Sequence, residues 1–143
     1  MPTLTLDQAQ TIVASALGFA RAQAYQPLAV VVLDARGVLK AFAAEDGTSL
    51  RREEIARGKA HGGLSFGLGS RALAKRAVEQ PHFIAAVTHA VGGSLVPVPG
   101  GVLIRADDRT IIGAVGISGD ASDNDEAAAI AGIAAAGLHA DPG

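Results

Sequence analysis

The sequence predicts an α+β fold: a single domain over residues 1–143, with a five-stranded, largely antiparallel sheet packed with helices. Three observations predict it. Apolar residues recur at helical spacing at both ends of the chain. Between them lie short apolar runs of strand length, joined by polar or glycine turns. The chain of 143 residues is the size of one domain, and nearly half of it is apolar, enough for a core.

Thr5-Leu6-Asp7-Gln8 has the form of a capping box, and Leu6, Ala9, Ile12, Val13, Ala16, Leu17 and Ala20 follow at helical spacing. This predicts a helix over residues 6–24. The Val-rich run 28–33 reads as a buried strand, Asp34-Ala35-Arg36-Gly37 as a turn, and 38–44 as the returning strand of a hairpin. Ser49 stands as the N-cap of a helix from Leu50 to about Ala60. Glycines at 58, 62, 63, 67 and 69 predict an end or bend around 64–66. Ser70 opens a short helix to Glu79, and Pro81 opens another that Gly92-Gly93 stops. Three strands follow, at 94–98, 102–106 and 110–118, separated by Pro99-Gly100-Gly101 and Asp107-Asp108-Arg109. Asp123-Asn124-Asp125-Glu126 reads as a second capping box before an Ala-rich helix, and 139–143 as a frayed tail.

Composition removes several functions. The net charge is −2, the basic residues are interrupted by Glu53 and Glu54, and stacking aromatics are few, so no nucleic acid partner is expected. There is no Cys, hence no disulfide and no thiolate ligand. No signal peptide is visible and no apolar run approaches the roughly 18 residues of a membrane span, so the expectation is a cytoplasmic chain with no membrane partner. Gly113, Gly116 and Gly119 lie in or at the end of a strand and do not form a dinucleotide fingerprint. Ser118 lacks the Gly-x-Ser-x-Gly elbow.

The helix after Ser49 carries the chemistry-bearing side chains. Its inward stripe includes Arg52 and Lys59 among apolar positions, either snorkelling at the edge of the face or turned into a pocket for an anionic group. Lys59 beside apolar neighbours is a candidate base or imine former, with Glu53 or His61 as proton carrier; Glu53 and Arg57 are also an i,i+4 pair. Gly100 and Gly101 offer backbone N–H groups to a carboxylate, or simply make a tight turn. Glu126 caps a helix, or faces the same pocket. His82 and His89 are seven apart, about 10.5 Å along a helix, too far to share one ion.

In combination, Val-Val-Leu-Asp-Ala-Arg-Gly at 31–37, Asp46-Gly47, Gly58-Lys59-Ala60, Pro99-Gly100-Gly101-Val102, Ile112 to Gly119 and Asp123 to Glu126 resemble the GlcG/HbpS family, which includes the C-terminal domain of PduO. The resemblance implies a profilin-like α/β sheet domain, assembly into a homo-oligomer, and haem or another tetrapyrrole as small-molecule ligand. His61 then becomes the first candidate for a haem axial ligand, ahead of His82, His89, His139 and Tyr25. Arg52 and Lys59 would hold propionates, with Gly100, Gly101 and Glu126 on the opposite wall. The alternatives are a cofactor-independent lyase or isomerase using Lys59 with Glu53 or His61, and an accessory scaffold without catalysis.

Overall fold

The computed structural model describes residues 2–143. The elements are α1 (Leu6–Ala22), β1 (Ala29–Asp34), β2 (Leu39–Ala44), α2 (Arg52–Phe66), α3 (Ser70–Glu79), α4 (Pro81–Ala90), β3 (Gly101–Arg105), β4 (Ile111–Ser118), α5 (Ser122–Ala135) and β5 (His139–Asp141). The strands form one sheet in the order β2-β1-β4-β3-β5, every neighbouring pair antiparallel. The fold class is therefore the α+β arrangement expected, built as three layers.

Strand periodicity builds those layers. Val30 and Val32 of β1, Val102 and Ile104 of β3, and Val115 and Ile117 of β4 point to one face, where they pack under α1 and α5. Val31, Leu33, Leu103 and Ala114 point to the other, under Ala56 and Ala60 of α2. The small hairpin of α3 and α4 gathers a third cluster around Leu73, Ile84 and Leu95. α1 starts on the capping box foreseen: Gln8 N donates to Thr5 Oγ1 at 3.1 Å, and Thr5 N to Gln8 Oε1 at 3.0 Å. No described helix is long and apolar enough to cross a membrane.

Four local expectations are corrected. Residues 94–98 are not a strand; they run as an irregular segment along α2, with Val96 N bonded to the Gly58 carbonyl at 3.1 Å. The fifth strand is instead the C-terminal stretch expected to fray. It covers the outer edge of β3, and Arg105 Nε meets Asp141 Oδ2 at 2.8 Å there. α2 continues six residues past Ala60 and stops at Gly67 in the left-handed conformation. Its glycines permit close contact rather than ending it: a Cβ on Gly62 would stand 3.4 Å from Leu95 Cα. Finally, Asp123 is not an N-cap. α5 begins two residues earlier than that cap would give, its N-cap is Ala121, and no side chain caps it.

Two irregularities fall at the same end of the sheet. The pairing of β1 with β2 slips between Val32 and Leu33, leaving Lys40 as the extra residue. The pairing of β3 with β4 slips between Ile104 and Arg105, leaving Ile112 as the extra residue. Each is a β-bulge, which re-aims a side chain where strict alternation would not put it.

Candidate functional site

α2 presents different chemistry on different faces, at about 100° of rotation per residue. Arg52, Ala56, Lys59 and Gly63 form the stripe against the sheet. Lys59 is 2% exposed. Its Nζ donates to the Ile117 carbonyl at 2.8 Å and to Asp125 Oδ2 at 3.0 Å. Asp125 Oδ1 accepts from Asp120 N at 3.0 Å, so the carboxylate joins the start of α5 to the amine of α2. Burial lowers the Lys59 pKa and raises that of Asp125, each opposed by the other's charge; the Arg52 guanidinium pushes Lys59 down further.

The glycine turn closes over this amine. A Cβ on Gly100 would stand 2.8 Å from Lys59 Nζ, and one on Gly101 would stand 2.3 Å from the Lys59 carbonyl oxygen. Gly101 N donates to Ser70 Oγ at 2.7 Å. The expectation that Lys59 faces Gly100 and Gly101 thus corresponds to a direct contact, with no cavity between them. Arg52 lies about two turns before Lys59 and is also engaged, through Nη1 to Ser118 Oγ at 3.1 Å and Nε to Ser49 Oγ at 3.0 Å.

The remaining candidates lie elsewhere. Glu126 turns toward α3 and accepts from Arg71 Nε at 2.9 Å; the acid that meets Lys59 is its neighbour Asp125. The sequence does not single out Asp125, because a capping box leaves that position in the first exposed turn. The signal for it is indirect: a lysine on an apolar stripe needs a buried acid. Glu53 pairs with Arg57 on the surface of α2. A reaction using Lys59 with Glu53 or His61 would need side chains from three faces of one helix to converge.

His61 lies about 200° around α2 from Lys59. Its Nδ1 sits 2.8 Å from the Ser94 carbonyl oxygen. Gly58 and Gly62 bring residues 94–96 close enough for that contact. A carbonyl only accepts, so Nδ1 carries the proton and Nε2 presents a lone pair. Among the described residues nothing hydrogen-bonds to Nε2. The Cδ2 edge of the ring, next to Nε2, faces Gly37 of the β1–β2 turn, across a cleft of about 130 Å³ lined by Ala35, Arg36, Gly37, His61, Leu64 and Ser65. The other candidate ligands differ. His139 Nε2 is held by Asp107 at 2.9 Å, His82 and His89 stand exposed on α4, and Tyr25 packs edge-on against Phe19. No group of three or more His, Asp or Glu among the described residues is arranged to hold a metal ion.

The fold has close structural relatives. A structure of PduOC in complex with haem is 23% identical, with 96% of this chain and 97% of that one superposed at a TM-score of 0.85. The structure of HbpS is 27% identical, covering 94% of this chain and 90% of that one at a TM-score of 0.80. The Klebsiella pneumoniae protein ORFY is 22% identical, covering 96% and 92% at a TM-score of 0.84. No curated protein matches the chain. The model of one family, described as haem degrading protein HbpS-like, matches residues 4–134, nearly the whole domain. The chain, with its five-stranded sheet and its lysine clamp under the glycine turn, belongs to the HbpS-like family.

Proposed function

We propose that the protein binds haem or a related tetrapyrrole, with His61 as the iron-facing side chain. The observation that carries this reading is the fixed tautomer of His61. A histidine that ligates a metal donates its other ring N–H to a backbone carbonyl or carboxylate, which sets ring orientation and raises basicity. Ser94 supplies that carbonyl, and Nε2 is left as the atom that would hold the iron. Arg36 lines the same cleft. It spends one Nη2 contact on Asp34 and keeps further N–H donors for a propionate. Arg52 and Lys59, the propionate-holding pair the resemblance implies, are engaged with Ser118 and Asp125, and Glu126 of the implied opposite wall is engaged with Arg71. Haem iron, when bound, supplies redox and gas-ligand chemistry; the chain's share is to hold the imidazole and to place a cation at the rim.

The cleft is smaller than the roughly 300–1,000 Å³ of an enclosed small-molecule site, so it would not enclose a tetrapyrrole by itself. A second copy would border that open side. The β2 edge is unpaired, and Leu39 and Phe42 stand 43% and 42% exposed on it. Their partners in β1 are Leu33 and Val31, which puts both on the α2 side of the sheet. An apolar, unpaired edge of this kind joins readily to another strand. The expected result of light scattering after gel filtration is therefore an oligomer that Phe42→Lys reduces to a monomer; an unchanged mass would remove this edge as the interface.

Hemin titration tests the ligand. The wild-type protein is expected to give a shifted Soret band at micromolar hemin, and His61→Ala to weaken binding at least about tenfold with the melting temperature little changed. Absence of a shift in the wild type, or an unchanged shift in His61→Ala, would overturn the reading.

A further inference from the structure

The two β-bulges serve one place. Lys40 and Ile112, the two extra residues, both line a cleft of about 320 Å³ between the N-terminal segment and the β1–β2 turn, together with Thr3, Leu4, Asp34 and Arg36. Alternation counted back from Ala41 would put Lys40 on the α2 side. Leu39 opposes Leu33 on the α2 side and Ala41 opposes Val32 on the α1 side, so the inserted residue is what turns toward α1. Two independent slips of register that converge on one cleft mark it as a built feature of the fold.

Its chemistry is amphipathic. Leu4 and Ile112, each 4% exposed, make an apolar floor, and Pro2 and Ala35 extend the walls. Lys40 is half-buried at the rim, and among the described residues no carboxylate lies within ion-pair distance of it. The one carboxylate lining the cleft, Asp34, is fully engaged. Its Oδ1 accepts from Arg36 N and Val38 N at 2.8 and 3.1 Å, and its Oδ2 from Arg36 Nη2 at 3.1 Å. With two cations and one anion the cleft carries one uncompensated positive charge. In the adjoining hollow, Asp107 faces His139 and Asp108 accepts from Thr110, so both acids are turned to other partners. The volume is at the lower end of small-molecule sites, with few polar groups over an apolar base.

We infer that this cleft binds a small monocarboxylate with a compact apolar body, its carboxylate on Lys40 at the rim and its body on Leu4 and Ile112. The site is separate from the His61 cleft, which lies beyond Ala35 and Arg36 on the other side of the turn. Benzoate is a suitable probe, with benzamide as the neutral molecule of the same shape. Titrating benzoate into the isotopically labelled full chain should shift the amide signals of Thr3, Leu4, Lys40 and Ile112, while benzamide leaves them at least about tenfold less responsive, as expected for loss of a charge-assisted bond. Lys40→Met keeps the apolar stem and should abolish the difference between the two probes without lowering the melting temperature. Arg36→Gln provides a second variant, with a smaller loss because the Arg36 charge is already paired with Asp34 whereas that of Lys40 is not. Equal responses to benzoate and benzamide in the wild type, shifts confined to other residues, or an undiminished benzoate response in Lys40→Met would overturn the inference.

Discussion

Lys59→Met is expected to destabilise the protein by about 3–5 kcal/mol in urea unfolding, the cost of leaving a buried charge without its partner. The amine is almost wholly inaccessible, and three elements depend on it. It reaches from α2 to the carbonyl of Ile117 at the end of β4 and to Asp125 in the first turn of α5. Methionine fills the same space and strands the carboxylate. The double variant Lys59→Met, Asp125→Asn should return most of the loss, because Asn keeps an oxygen for Asp120 N and carries no charge. The direction of the pKa shifts agrees. A lowered Lys59 contributes stability only above its unfolded value, and loses it as pH falls through the folded value. A raised Asp125 contributes stability only below its unfolded value, and loses it as pH rises through the folded value. Neutral pH lies between the two windows, where burial of both charges costs most. The double variant should therefore show a flatter stability profile toward both acid and alkaline pH than the wild type. If the single variant loses less than about 1 kcal/mol, the clamp is not what joins α5 to α2.

How far the sequence reveals this arrangement depends on the range of the forces involved. Thr5 and Gln8 are legible because a capping box is closed by residues three apart. The β1–β2 hairpin is legible because its turn is local. The strand at 139–141 is not, since three residues gain their pairing from β3, more than thirty positions away. The glycines of α2 mislead for a related reason. Judged by helix propensity they weaken the helix. In the fold, Gly58 and Gly62 admit residues 95 and 96, and Gly63 admits the Leu68 carbonyl. Tertiary contact overrides propensity there, and the same contact fixes His61 on Ser94. Lys59 could be singled out as a cation on an apolar stripe, but the stripe does not say what neutralises it. Asp125 and Glu126 are adjacent acids, and only the start of α5 at Ser122 decides which one turns inward. The bulges at Lys40 and Ile112 leave no mark in the sequence at all, because a slip of register is a property of two strands together.

Gly116→Ala should be the most damaging single methyl group in the sheet, costing about 3 kcal/mol, the upper end of ordinary overpacking. A Cβ at that position would stand 1.8 Å from the Ala56 carbonyl oxygen and 3.1 Å from Ala60 Cβ. The obstacle is helix backbone, which no side-chain rotation relieves, so α2 must lift off β4. Gly116 is the central contact of that seat: it pairs with Val31 of β1 on one side and Gly101 of β3 on the other. Lifting α2 also separates Lys59 from Gly100 and Gly101, and carries His61 away from the β1–β2 turn that forms the far wall of its cleft. The variant should therefore lose hemin affinity together with stability, although it touches neither His61 nor Arg36. Lys59→Met provides the contrast, since it removes the clamp without forcing the helix off the sheet and should retain hemin binding under conditions where it is folded. Unfolding curves and hemin titrations on the two variants separate the cases. A Gly116→Ala protein of wild-type stability would mean that α2 does not sit on β4 as closely as the carbonyl contact requires.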